Sequence, residues 1–175
     1  GVVTITDDDP TPTLSVGDVT VAEGNTGTTN AVFTVALSAV SGRQVTVNFA
    51  TSNGTATAGR DYAANSGTLT IPAGQASGTV TVVVNGDTLF EADETFTLTL
   101  SGPTNATLFD GVATGTIAND DAAPGISIAD VSLAEGNSGS TAFNFTVTLS
   151  AVSGLAASVD FATADGTATS PSDYG

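Results

Sequence analysis

The tetrapeptide Ala22-Glu23-Gly24-Asn25 recurs as Ala134-Glu135-Gly136-Asn137, and the hexapeptide Leu37-Ser38-Ala39-Val40-Ser41-Gly42 returns unchanged as Leu149-Ser150-Ala151-Val152-Ser153-Gly154. Asp61-Tyr62 comes back as Asp173-Tyr174. From 23 to 135, from 37 to 149 and from 61 to 173 the shift is 112 residues each time, with no gap. A fixed period of this length constrains the fold strongly, because one structural unit must satisfy every copy. The same shift pairs Thr4-Ile5 and Asp8-Asp9 with Thr116-Ile117 and Asp120-Asp121. The chain therefore divides into the last strand of a preceding unit (1–9), one complete unit (12–121) and the N-terminal half of a following unit (125–175). On this division it is expected to be a fragment of a longer tandem array.

Inside the unit the apolar period is two. Phe33, Val35 and Leu37 alternate with Thr34, Ala36 and Ser38, and Val45, Val47 and Phe49 with Thr46 and Asn48. Leu69/Ile71, Val80/Val82/Val84 and Phe96/Leu98/Leu100 repeat the pattern, interleaved mainly with Thr, which suits a half-exposed strand. Breaks such as Gly24-Asn25-Thr26-Gly27 and Pro72-Ala73-Gly74 separate the runs. The spacing predicts strands over 13–22 (broken), 30–38, 44–52, 67–71, 78–84, 95–101 and 112–118. About seven short strands, each with one apolar face, make an all-β, antiparallel β-sandwich. Phe33, Phe49, Val82, Phe96 and Leu98 are expected in its core. Residues 125–175 lack counterparts of the strands over 67–118, so their apolar faces are expected to need a neighbour.

Charge narrows the function. There are 18 Asp and Glu against two basic residues, Arg43 and Arg60, giving a formal net charge of −16. Such a chain has no basic footprint for a phosphate backbone or an anionic membrane surface, so no nucleic acid partner is expected. Without His or Cys there is no imidazole base, thiol nucleophile, disulfide or ordinary zinc ligand set. No apolar run approaches the ~20 residues that span a bilayer, so no direct membrane insertion is expected.

Ten acidic residues fall in the complete unit, and most lie in connections rather than strands. Glu23 follows the first strand, Asp61 sits in the third connection, Asp87 to Glu94 share one loop, and Asp120-Asp121 follow the last strand. Connections alternate between the ends of a sandwich, so these groups can share one end. Like charges at ~4 Å repel by about 1 kcal/mol in water and several at a protein surface. Either the end is solvated and its loops splay, or a cation bridges it. Ca2+ suits carboxylates and carbonyls on flexible loops, taking six to eight oxygens in irregular geometry.

Glu23-Gly24-Asn25, Gly54-Thr55-Ala56, Gly59-Arg60-Asp61-Tyr62, Gly67-Thr68-Leu69, the run Asp87-Thr88-Leu89-Phe90-Glu91-Ala92-Asp93-Glu94-Thr95-Phe96 and Gly115-Thr116-Ile117-Ala118-Asn119-Asp120-Asp121 together resemble a Calx-beta domain. The likeness covers essentially the whole chain. It implies a seven-stranded immunoglobulin-like sandwich that binds Ca2+ at the end facing the next domain. By that resemblance the ligands are Glu23, Asp61, Asp87, Glu91, Glu94, Asp120 and Asp121, with Asn119 and Asp93 as weaker candidates. Gly86 and Asn119 fall where calcium-sensing members of sodium–calcium exchangers carry carboxylates. Fewer or weaker ions are the expected consequence, at extracellular calcium levels of ~0.1–1 mM. Glu135 and Asp173 match in the half-unit, and Asp7, Asp8 and Asp9 match the exit cluster of the preceding unit.

The expected function is a calcium-binding, extracellular or cell-surface structural repeat, a spacer or adhesive stalk of a large surface or secreted protein, in which Ca2+ stiffens the junction at Asp121-Ala122-Ala123-Pro124-Gly125. Its partners are adjacent Calx-beta units in the same or a neighbouring chain. The alternative is a self-assembling filament subunit, a homo-polymer using strand donation from Val2 to Ile5. A transporter calcium sensor and a glycan-acting enzyme using Glu91 and Glu94 are less favoured, since no Trp supplies a sugar platform; the chain is not expected to be an enzyme. Tyr62 is expected as a corner residue hydrogen-bonded to backbone.

Overall fold

The computed structural model describes residues 1–4, 6 and 8–175. The pairing of Ile5 with Ile117 and the place of Asp7 in a preceding acidic exit lie outside the described residues. Residues 1–4 carry no strand.

The Thr-interleaved runs form β1 (Thr13–Val16), β2 (Val19–Ala22), β3 (Thr28–Leu37), β4 (Val45–Asn53), β5 (Ser66–Ile71), β6 (Ser77–Asn85), β7 (Glu94–Thr104), β8 (Thr107–Asp110) and β9 (Val112–Ala118). They build an immunoglobulin-like sandwich of two sheets, ordered β6-β3-β1-β8 and β2-β9-β7-β4-β5. Most pairs are antiparallel, as the alternation predicts. Two are parallel: β1 with β8, and β2 with β9. Both arise because the first strand breaks at Gly17-Asp18, so that β1 stays in one sheet and β2 crosses to the other. Asp18 Oδ1 accepts the Thr114 N–H at 2.7 Å and pins the crossing. β8 is a strand that alternation does not announce, since all four of its residues are exposed.

Phe33, Val82, Phe96 and Leu98 are fully buried between the sheets. Phe49 is the exception among the expected core residues. It is half-buried, packed against the edge of the core with its ring beside Gly67 on the outer strand β5. Tyr62 is buried with its ring stacked on Phe96, centroids 4.5 Å apart. Its hydroxyl donates to the side chain of Asn53, Oδ1 at 2.7 Å, not to backbone. The turn of residues 54–62 folds back over the end of β4, where Asn53 Oδ1 also accepts from Ala58 N at 3.0 Å.

Past the linker, β10 (Ile126–Ile128) and β11 (Val147–Leu149) pair antiparallel with Ile126 opposite Leu149. This is the β1·β3 register, Leu14 opposite Leu37, shifted by one repeat. Local hydrogen bonds recur as well. Ser38 Oγ accepts from Thr13 N at 2.9 Å and Ser150 Oγ from Gly125 N at 2.8 Å. Packing does not recur. Leu14 and Val16 are buried, whereas Ile126 and Ile128 are 43% and 61% exposed. Hydrogen-bonded turns need only their own few residues, but an apolar face needs a second sheet over it.

Candidate metal centre

The acidic connections meet at one pole of the sandwich. The parallel register Ala22↔Ala118 carries β2 and β9 out of their sheet side by side. Glu23 and Asp120 therefore emerge as neighbours although nearly a whole unit separates them in sequence. Glu23 N donates to Ala118 O at 3.3 Å and Gly24 N to Asp120 Oδ1 at 3.1 Å. Glu23, Asp120 and Asp121 each bring a carboxylate oxygen to within 4.8 Å of the others. Asp121 Oδ2 is buried and has no hydrogen-bond partner.

The electrostatic cost of this gathering is visible at Glu23, which is 7% exposed. Burial, then the charges of Asp87, Asp121, Glu91 and Asp120, push its carboxyl from 4.5 up to about 7. Burial and the charges of Asp120 and Asp87 raise Asp121 as well. Asp87 thus belongs to the same field, held there by a local turn in which its Oδ1 accepts Leu89 N at 2.7 Å.

Asp61, Glu91 and Glu94 form a second group, again with oxygens within 4.8 Å of one another. Asp61 is buried at the end of a tight turn, its Oδ2 accepting Thr57 N at 2.7 Å. Glu94 stands at the start of β7, where burial first, then the charge of Asp61 and a hydrogen bond to it, raise it to about 7. Protonated, the Glu94 carboxyl can donate a hydrogen bond to Asp61, where its ionised form would only be repelled. Arg60 bridges Asp61 and Glu91. Six of the seven carboxylates singled out in the sequence thus form two groups, linked by the Glu91–Glu23 repulsion, and the seventh, Asp87, lies close enough for its charge to act on Glu23 and Asp121.

Asn119 and Asp93 serve as braces. Asn119 Oδ1 accepts Glu91 N at 3.1 Å, its Nδ2 donates to Asp121 O at 3.0 Å, and its own N–H donates to Asp93 Oδ1 at 3.0 Å. One asparagine thereby fixes the backbone of both groups. In the following unit Asp173 repeats this hydrogen bond, accepting Thr169 N at 2.8 Å, while Glu135 uses its backbone carbonyl to accept Thr141 Oγ1 at 2.6 Å. Asp8 and Asp9 are exposed, and Asp9 lines a shallow depression with Ser41, Gly42 and Arg43.

Two features escape a reading of sequence alone. Arg60 is one of only two basic residues and adjoins Asp61, a signal that could have marked it as a counterion. The other is the contact between units: Gly154 N donates to Phe90 O at 3.0 Å, and Gly154 lies so close to the Glu91 side chain that an added Cβ would fall 2.7 Å from Glu91 Cγ. The acidic pole therefore touches the next repeat directly.

Gly86 also has a steric reason. A Cβ there would overlap the Gly24 carbonyl oxygen and come within 2.7 Å of Glu23 O. No carboxylate can occupy this position without displacing the Glu23 strand. Gly86→Ala is expected to cost ~1–3 kcal/mol by overpacking against backbone and to move Glu23 and Asp87 apart. Urea unfolding with and without Ca2+ checks it, and an unchanged midpoint with unchanged calcium response would refute the steric account.

The donor set is oxygen only, irregularly arranged on loops and partly desolvated, with one buried carboxylate oxygen lacking a partner. Those are the properties of a site for a hard cation such as Ca2+ rather than for Mg2+ or softer metals. The sequence model of the Calx-beta domain family matches residues 6–121 and again 119–175. The crystal structure of the apo-form Calx CBD1 domain is 29% identical, with a TM-score of 0.55, covering 64% of this chain and 100% of that one. The calcium binding domain CBD12 of CALX1.1 is 28% identical at a TM-score of 0.56, with 70% and 53% covered. CBD12 from CALX1.2 is 30% identical at a TM-score of 0.55, with 62% and 45% covered. The chain thus spans about half the length of each CBD12 structure. No curated protein matches it.

Proposed function

Since the chain belongs to the Calx-beta domain family, we propose that its complete unit binds Ca2+ at the acidic pole and that the bound ion stiffens the joint to the following unit. The observation carrying this reading is the buried, unpartnered Oδ2 of Asp121, whose carboxylate brings an oxygen to within 4.8 Å of oxygens of Glu23 and Asp120. Glu23, Asp87, Asp120 and Asp121 would hold the ion, with Asp61, Glu91 and Glu94 adjoining. Bound Ca2+ supplies the positive charge that makes this gathering of carboxylates favourable.

The residues around the site carry its effect outward. Asp121 begins the linker, Asn119 ties it to Glu91, and Glu91 packs on Gly154 of the next repeat. Ordering these side chains therefore orders the joint. In a tandem array the result is a rod built from jointed acidic units, a binding and spacing module rather than a catalyst. With only partly charged ligand loops, an affinity of ~0.1–1 mM fits a protein working outside the cell or at its surface.

Calorimetric titration of the chain with Ca2+ tests the reading. Glu23→Gln is expected to weaken binding ~10-fold or more, because it removes the central buried carboxylate. Small-angle scattering of two complete units in tandem is expected to lengthen and narrow in distribution on adding Ca2+. No heat at millimolar Ca2+ would return the pole to a merely solvated acidic end.

A further inference from the structure

The two acidic groups of the pole differ in one respect: the chain places a cation of its own in only one of them. Arg60 Nε lies 3.4 Å from Asp61 Oδ1, and its Nη2 donates to Glu91 Oε1. The guanidinium thus spans two of the three carboxylates of the Asp61–Glu91–Glu94 group, and further attraction reaches Glu94. A planar, permanently charged fork is well suited to hold two carboxylates at once. Among the described residues the Glu23–Asp120–Asp121 group has no such partner. The only other basic side chain of the sequence, Arg43, lies in the depression lined by Asp9, Ser41 and Gly42.

The internal repeat supplies a comparison within the same chain. Shifted by 112, Arg60-Asp61-Tyr62 becomes Ser172-Asp173-Tyr174. Two side-chain hydrogen bonds of the turn recur, although Pro171, behind a cis peptide bond, replaces Gly59 with its φ of 91°. Thr57 N donates to Asp61 Oδ2 at 2.7 Å and Thr169 N to Asp173 Oδ2 at 2.8 Å. Tyr62 bonds Asn53 and Tyr174 bonds Asp165, again one repeat apart. Ser172 therefore occupies the repeat position of Arg60, in a turn that keeps these two hydrogen bonds, with the cation deleted.

We propose that Arg60 is a resident counterion that takes the place of a divalent ion at Asp61, Glu91 and Glu94, so that this position sets how many ions a unit binds. A unit with arginine takes its Ca2+ at Glu23, Asp120 and Asp121; a unit with serine at this position, as at Ser172, takes one more. The guanidinium uses up oxygen lone pairs that an ion would need, and it repels an ion at the same oxygens. Arg60 also holds Glu91, which packs on Gly154, so it braces the joint in the absence of calcium. Units of one array then differ in how far calcium governs their joints.

The inference rests on the calcium reading above, and calorimetric stoichiometry separates the two. The 175-residue chain is titrated with Ca2+ as wild type, as Arg60→Ser and as Arg60→Gln, the last keeping the size and aliphatic stem of the arginine. Both variants are expected to bind one equivalent more than wild type at millimolar Ca2+. Melting in chelator is expected to be lower than wild type for both, and the rise on adding Ca2+ larger. Extra binding in either variant supports the proposal, including the case in which wild type binds none. Equal, non-zero stoichiometry in all three overturns the role of Arg60 and leaves the calcium reading standing. No binding in any of them overturns both.

Discussion

In chelator, the protein is expected to grow less stable as pH rises from 5 to 8, the reverse of the usual carboxylate behaviour. Glu23 and Glu94 both have folded-state pKa values near 7 against 4.5 for the free side chain. Between those limits the folded state binds more protons than the unfolded one. Stability then falls with rising pH across that window and is lowest above it. The penalty is absent below about 4.5 and complete above about 7. A shift of this size corresponds to ~3 kcal/mol for Glu23, and Glu94 adds to it in the same direction. By the usual relation between stability and melting in small domains, the difference amounts to ~10 °C or more.

Calcium should reverse this trend, because it takes the place of the protons. A ligand at a hundred times its dissociation constant stabilises by about 2.7 kcal/mol, close to the Glu23 penalty. Melting temperature measured against pH, with chelator and with Ca2+ at about a hundred times its dissociation constant, should give curves that merge at low pH and separate as pH rises towards 8. Titration near pH 6.5 in two buffers of different ionisation heat should register proton release on binding. Stability that climbs with pH in chelator would refute the buried-carboxylate account.

Much of this pole is legible in the sequence, and the part that is not has identifiable causes. The alternation of Phe33, Val35 and Leu37 marks β3 because one face is buried and the other is not. Thr107–Asp110 escapes because neither face of β8 is buried, so there is no pattern to find. Strand-end counting brings Asp61, Glu91 and Glu94 together, since connections alternate between poles. What counting does not reveal is why Glu23 meets Asp120: that depends on the parallel pairing of β2 with β9, a contact between the two ends of the unit. Asn119 reads as a lost carboxylate in sequence, yet its amide makes both a donor and an acceptor bond that a carboxylate could not. Gly86 reads as a missing ligand and is a steric necessity. Close approach of backbones leaves no trace in composition.

The largest single-residue effect on stability is expected at Phe96, which is not itself a candidate ligand. Its ring is fully buried, packed edge-on to Phe33 at 5.9 Å and stacked on Tyr62 at 4.5 Å. Gly115 on the adjacent strand leaves the space the ring fills, since a Cβ there would come within 2.6 Å of Phe96 Cε1. Phe96→Ala is expected to cost ~3–5 kcal/mol, from lost transfer energy plus an unfilled cavity. That is a large share of the ~5–15 kcal/mol that holds a typical domain together. Function should follow stability here, through geometry. Phe96 lies two residues after Glu94, and Tyr62 directly follows Asp61, so the ring stack clamps the two backbones that bear these carboxylates. Loosening it should weaken the calcium response although every candidate ligand is intact. Phe49→Ala, at a half-buried position beside Gly67 of β5, is expected to cost less and to spare calcium binding. Urea unfolding and calcium titration of both variants decide the matter. If Phe96→Ala unfolds at the same urea concentration as Phe49→Ala, the core stack does not position the acidic pole.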